Sequence, residues 1–284
     1  TNNISDIGED SKSHIWITTY NDGVYEYNLE SFKNYNHLFG IDSDLVRSLF
    51  IDKNDNIWLS SKTGLTVLED GIPTIFNNEN GLENENIKVV SQDNEGNIWL
   101  GTDGSGAFRF SGNEFVNFSN KNGLASVMSI VQDNDKAYWF STYGDGITKY
   151  KDRVFTNYHS LNSNLTNNTI WSSMVDSKNQ LWFGSSGGLI KRNQGKFEVF
   201  HNTEWLPSNK ITSLFEDSKN RIWIGTAKGV TKIFNSDTTT YTNSSGLETK
   251  NIRAIAEYKN TIWLGTSNGV FTSNEKGFSQ WENN

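Results

Sequence analysis

The 284-residue sequence predicts an all-β protein, a seven-bladed β-propeller of four-stranded antiparallel blades, and three observations carry that expectation. First, one motif recurs: "HIWITT" at 14, "NIWLSS" at 56, "NIWLGT" at 97, "AYWFST" at 137, "QLWFGS" at 180, "RIWIGT" at 221 and "TIWLGT" at 261. Its tryptophans, Trp16, Trp58, Trp99, Trp139, Trp182, Trp223 and Trp263, are spaced by 42, 41, 40, 43, 41 and 40 residues, and a fixed period of this length marks a repeat architecture. Second, each period divides into four short runs rich in β-branched and aromatic residues, separated by Gly, Asn, Asp and Ser. Third, the repeats fill the chain from end to end, which overrides the two domains that length alone suggests.

Residues 87 to 118 show the unit in order: "IKVVSQD", "NEG", "NIWLGT", "DGSG", "AFRF", "SGNE" and "FVNF". The first run ends in an Asp turn. Asp93, Asp133, Asp176 and Asp217 open "DNEGN", "DNDKA", "DSKNQ" and "DSKNR", where a carboxylate accepts from the backbone N–H groups ahead of it. The second run carries the tryptophan, expected in the core between blades because it recurs at one fixed place. Six or seven residues on stand Gly23, Gly64, Gly106, Gly146, Gly188, Gly229 and Gly269, where a hairpin loop demands positive φ. A four-stranded unit that is apolar on both faces is unstable alone, so seven of them stack around an axis. A β-solenoid, with shorter coils and no four-strand meander, fits less well. The blades are expected at 4–36, 45–77, 86–119, 126–159, 169–201, 210–242 and 251–284, as a single domain. In that frame "ISDIGED" opens blade one and "FSQWENN" closes blade seven, so the ring closes by packing rather than by a blade shared between the termini.

Composition bounds the function. A chain of this size buries roughly three quarters of its unfolded surface, so the absence of cysteine costs it no necessary disulfide and leaves the redox compartment open. Net charge is −8 with the acids scattered, which repels a phosphate backbone and argues against nucleic acid. No apolar stretch is long enough to span a membrane, and the N-terminus lacks the basic-then-apolar pattern of a signal peptide. The first repeat starts by Ile4, as expected of a mature or excised domain.

The repeat, written "I-x-S-L-x-x-D" followed by "I-W-[IL]-G-T-x-x-G-[LV]" and an aromatic pair such as Phe155 and Tyr158, resembles the two-component regulator propeller repeat. Blade six matches best, with "ITSLFEDSKNRIWIGTAKGV" at 211 to 230. The resemblance implies the extracytoplasmic sensor region of a bacterial hybrid histidine kinase, many of which serve polysaccharide utilisation, or a related secreted protein. Those sensors have two propellers, a further β-domain, a membrane span and kinase parts. None is in this sequence, so the resemblance implies an input module and a periplasmic or extracellular location.

Motif residues build blades, so function is sought where the repeats disagree. The loops entering the innermost strand ("NHLFGIDSD", "NNENGLENEN", "HSLNSNLTNN", "HNTEWLPSN") and the loops between the second and third strands ("TTYNDG", "GTDGSG", "STYGDG") open on one face and vary. Aligning the innermost strands on their terminal Asp, or on Tyr258 in blade seven, puts Ser5, Arg47, Lys88, Met128, Trp171, Thr212 and Arg253 at one equivalent place near the channel mouth. Arg253, Arg47 and Lys88 then form a basic arc with Trp171 across from it, suited to a carboxylate or sulfate. The plainer alternative is solvated charge at strand ends. Tyr20, Asp22, Tyr143, Asp145 and Trp205 add aromatic rings and hydroxyl-bonding groups suited to an oligosaccharide, with loop packing as the alternative for Trp205 and Trp171.

Of the four histidines, His37, His159 and His201 fall in loops on the variable face and His14 on the other. A lyase acting on a uronic acid would cast Tyr143 or His159 as base and Arg47 as the cation, but nothing in their spacing demands it. There is no phosphate-cradling loop, and "DNDK" and "YNDG" lack the full ligand set of a calcium loop. The expectation is a non-catalytic ligand-binding domain that senses an oligosaccharide, with no cofactor and no metal. A secreted or surface scaffold for a protein or cell-surface polymer is the alternative, and a polysaccharide lyase stands behind both. Expected partners are a small-molecule or oligosaccharide ligand, anionic if the arc is used, and a downstream signalling domain or surface protein.

Overall fold

A computed structural model of the chain describes residues 3–36, 41, 45–82, 86–112, 114–118, 122–193, 195–201, 203–247, 251–274 and 277–281. Its twenty-eight strands form seven four-stranded antiparallel sheets, each in sequence order from the innermost strand outward. Blade six runs Ile211–Glu216, Ile222–Thr226, Gly229–Phe234 and Asp237–Tyr241. Among the described residues there is no α-helix, and 3-10 turns stand at Asn78–Asn80 and Asn243–Ser245.

Every letter of the motif has a physical task. The tryptophan ring is buried, and in six blades its Nε1–H donates to the turn aspartate six residues earlier, from Trp16 to Asp10 at 2.9 Å through Trp223 to Asp217 at 2.6 Å. The other oxygen of each carboxylate accepts from backbone N–H groups of the turn, as from Lys219 and Arg221 at 3.0 Å on Asp217, which also takes the Arg221 Nε–H, so that one buried anion satisfies four donors. The glycine after the tryptophan keeps the next blade close: a Cβ on Gly225 would lie 2.9 Å from Ile252 Cγ2. The threonine or serine that follows donates its hydroxyl to the carbonyl of the loop glycine in all seven blades, at 2.7 to 3.2 Å. That loop glycine has positive φ throughout, and at Gly146 an added Cβ would stand 2.2 Å from the Tyr158 carbonyl, which no side chain tolerates.

The core lies between blades. Seven apolar clusters each join one blade's tryptophan to the inner strands of the next, as Trp58 does with Ile87, Val90, Ile98 and Leu100. Between blades seven and one the cluster combines Trp263, Ala254 and Val270 with Ile4, Ile7, Ile15 and Ile17. No strand crosses this seam. The ring is held there by that cluster, by Trp281 packed 5.6 Å from Trp263, and by Arg253, which donates to Asn3 Oδ1 and, at 3.1 Å, to the Ile4 carbonyl.

Blade seven also departs from the turn rule. Tyr258 stands where the aspartate is expected, and it pairs with Thr261 across a two-residue turn of Lys259 (φ 45°) and Asn260 (φ 65°). Positive φ at both central positions is the I′ hairpin geometry. The turn is one residue shorter than the others, so no carboxylate reaches the tryptophan. Trp263 Nε1 and Tyr258 OH are both buried without a hydrogen-bond partner.

Candidate functional site

One irregularity, repeated around the ring, builds the channel mouth. In six blades the innermost strand has a β-bulge at its start, and the residues skipped by the pairing are Ser5, Lys88, Met128, Trp171, Thr212 and Arg253. In blade two the strand begins at Ser48, and Arg47 occupies the same place with its N–H on the Ser60 carbonyl at 2.9 Å. A bulge residue is released from the ladder and its side chain is re-aimed. All seven line one central cavity of about 540 Å³. The variable side chains are therefore carried on rigid strands rather than on mobile loops.

The cations are held in place. Arg47 Nη1 donates to Asn86 Oδ1, the Asn86 amide lies 3.4 Å from Asp103 Oδ2, and Asp103 accepts from Lys88 Nζ and Ser126 Oγ, each at 2.9 Å. The Lys88 ammonium, followed by Ser126 and Arg47 and against some burial, keeps the Asp103 carboxyl below the usual carboxylate range. Partial burial lowers the Arg47 guanidinium from its ordinary value, opposed by the charges of Asp103 and Tyr20. Arg253 uses one nitrogen on the seam and stacks 4.8 Å from the Tyr20 ring centroid.

Across the cavity, Trp171 donates Nε1–H to Ser186 Oγ at 2.8 Å and meets Tyr143 edge to face, with centroids 5.4 Å apart. A fourth cation absent from the sequence reading, Lys210, lies 5.1 Å from the Trp171 ring centroid. Below the arc sits Asp6, whose carboxylate accepts from Ile7 N and Leu49 N at 2.9 Å. Burial pushes its carboxyl up to about 6 despite those bonds. Asn251 Oδ1 and Ser172 Oγ, both at the cavity, are buried and unpartnered.

Of the nine candidate residues, Arg47, Lys88, Trp171, Arg253 and Tyr20 line the cavity, and Tyr143, 57% exposed, extends its aromatic wall to the rim. The other three are built into loops away from the cavity lining. Asp22 and Asp145 donate their N–H to Thr19 and Thr142 hydroxyls at 2.8 and 3.1 Å, and their carbonyls accept from Asn34 and Asn157. Trp205 packs 6.0 Å from Phe200 while its carbonyl accepts from Thr231 and Thr240, both at 2.7 Å. None of the described histidines lines the cavity: His14 pairs with Glu26 at 2.7 Å in a separate cleft, and His159 Nδ1 accepts from Leu161 N at 3.3 Å. His37 lies outside the described residues.

Lys210 and Asn251 were findable. They stand two residues before Thr212 and Arg253, and alternate residues of a strand share a face. Asn3 and Asn86 hold the same place in blades one and three, each accepting from the arginine of the preceding blade.

The two component regulator propeller family matches this chain at residues 81–104, 164–187 and 206–228. A histidine kinase of Formosa agariphila is 34% identical over 67 residues, which is 21% of this chain and 5% of the kinase, so the chain spans a small fraction of that relative's length. The extracellular domain of a putative hybrid two component system from B. thetaiotaomicron superposes with a TM-score of 0.67 at 17% identity, covering 98% of this chain and 48% of that one. Virginiamycin B lyase from Staphylococcus aureus superposes with a TM-score of 0.79 at 15% identity, covering 95% of this chain and 94% of that one. At these identities the structural likenesses concern the fold alone.

Proposed function

Because the chain is built of two component regulator propeller repeats, we propose that it is the ligand-binding input domain of a bacterial extracytoplasmic sensor, and that an oligosaccharide, anionic in character, binds at the channel mouth. The observation that carries this is the convergence of Arg47, Lys88, Arg253 and Lys210 on one cavity in a protein of net charge −8, with Trp171 and Tyr20 beside them. The likeness to an extracellular sensor domain supports the location. No helix among the described residues is long and apolar enough to cross a membrane.

The physics favours an anion. Arg47 has lost part of its water and is held by Asn86 with Asp103 beyond it, so an incoming carboxylate or sulfate would replace lost hydration with a paired, charge-assisted contact. Aromatic walls give an apolar face to stack against, and Arg offers the planar fork that fixes orientation. Occupancy would signal only through a difference in affinity between two states of the assembly. Arg253 suits that role, since it reaches the cavity and the seam at once.

Calorimetric titration with neutral, uronic and sulfated oligosaccharides, on wild type, Arg47→Ala and Arg253→Ala, tests the proposal. Saturable binding of an acidic saccharide that weakens at least tenfold in both variants is expected. Binding that is unchanged in both variants would move the site elsewhere.

A further inference from the structure

The cavity has a shape as well as a charge. Its lining descends along the innermost strands from Lys210 to Leu214 and from Asn251 to Ile255, four residue steps in each. At roughly 3.3 Å per residue the depth is about 13 Å, and equivalent residues of all seven blades, from Ser5 round to Arg253, encircle it. This is a well, not a groove. Ringed by seven innermost strands, it is entered along the axis, so a chain that reaches the bulge layer enters by its end.

The groups change with depth. Lys210 and Asn251 stand at the rim, and Arg47, Lys88, Trp171 and Arg253 form the bulge layer below. Asp6 and Ser172 come one residue deeper, and Leu214 and Ile255 are the last lining residues on their strands. The hydrogen-bonding capacity of the well is not used up by the protein: Asn251 Oδ1 and Ser172 Oγ are buried without partners, a cost that a hydroxylated ligand or water would remove.

Resting on the proposal that the mouth binds an anionic saccharide, we infer that the well takes the terminal ring of a saccharide acid end-on, so that the domain reads chain ends rather than chain interiors. The acid group meets Arg47 and Arg253, the ring face stacks on Trp171, and hydroxyls reach Ser172 and Asp6. Lys210 and Asn251 then face the linkage to the second ring. Everything beyond that second ring projects into solvent and contributes no contact.

The test is a chain-length series. Galacturonate, oligogalacturonides of two to six rings and long polygalacturonate are titrated into the protein by calorimetry, with glucuronate and a 6-sulfated hexose as alternative acids and the corresponding neutral oligosaccharides alongside. Expected is binding of at least one acid whose affinity per chain rises up to two rings and is flat thereafter, with polygalacturonate weak per unit mass because it has few ends. Trp171→Ala and Arg47→Gln should each weaken the two-ring ligand at least tenfold while the circular dichroism spectrum is unchanged. Affinity that climbs with every ring to six would overturn end-on capture and leave the sensor proposal standing. Binding of neutral chains with no binding of any acid at 10 mM would overturn the acid specificity alone. No binding of either kind would overturn both.

Discussion

Blades six and seven are neighbours with nearly the same motif, "RIWIGT" and "TIWLGT", yet their tryptophans live in different chemistry. Trp223 donates to Asp217 at 2.6 Å in a five-residue turn whose carboxylate also holds the backbone. Trp263 packs into an equally apolar place but leaves its Nε1–H orphaned, because a shorter I′ turn has removed the acceptor. The difference separates what shape dictates from what hydrogen bonding dictates. The ring is retained at the seam because it fills the space between blades, not because its polar atom is used. The aspartate is dispensable in one blade where Trp281 and the aromatic residues of blade one add area against Trp263.

The sharpest way to break the comparison is to remove the clasp. Asp217→Ala strips four donors of their acceptor, the Arg221 guanidinium among them, and is expected to cost about 3 kcal/mol in chemical denaturation. A cost below about 1 kcal/mol would mean that packing alone holds every blade.

Next comes a paired substitution. Trp223→Phe leaves Asp217 without its indole partner, whereas Trp263→Phe deletes an unsatisfied donor. The first should therefore cost about 2 kcal/mol more than the second, although both lose the same ring volume. Equal losses would show that the blade-seven indole has found water.

Grafting sharpens the contrast from the other side. Replacing the blade-seven segment Tyr258-Lys259-Asn260 by Asp-Ser-Lys-Asn lengthens the turn by one residue and restores an acceptor. A gain of about 1 kcal/mol is expected from the regained bond, reduced by the loss of the Tyr258 ring from the seam.

The smallest effect is with pH. Burial alone would raise the Asp217 carboxyl, but bonds from Trp223, Arg221 and Lys219 together hold it below the ordinary value. A depressed carboxylate stabilises the fold fully above its unfolded pKa near 4, and that contribution is lost as pH falls through the folded value. Denaturation of wild type and Asp217→Asn should therefore begin to converge as pH falls below about 4 and go on converging down through the folded value. Parallel curves would assign acid sensitivity to other carboxylates.

Much of this was legible in the sequence. Tryptophan spacing, the loop glycines and the run-and-turn pattern lead directly to seven blades of four strands, because period and burial are properties of residue type. The Asp-to-Trp clasp was half legible: an aspartate stands six residues before the tryptophan in six repeats, including Asp10 and Asp52, and Tyr258 breaks the pattern. What spacing could not give is that the indole and the carboxylate face each other. Aligning the strands gathered Arg47, Lys88, Trp171 and Arg253 at one place, but the bulge that turns them into the channel leaves no mark on composition. Asp22, Asp145 and Trp205 were chosen as exceptions to the repeat, and exception does not distinguish a ligand contact from a loop brace. Whether the carbonyl of Trp205 is used by Thr231 and Thr240 depends on backbone path, which residue identity does not encode.

The bulge has a consequence for how such a domain changes over time. Its side chain faces the channel while the strand ladder, the tryptophan clasp and the glycine contacts that keep each blade together are made by other residues; Arg47, Thr212 and Arg253 in addition bond the next blade. Around the ring this place now holds serine, arginine, lysine, methionine, tryptophan, threonine and arginine on one backbone design. Specificity is thus written in letters most of which the scaffold does not read, Arg47, Thr212 and Arg253 being those that also tie one blade to the next. A lineage can exchange its ligand one letter at a time without passing through an unfolded intermediate, and a protein engineer can randomise the other four codons for the same reason.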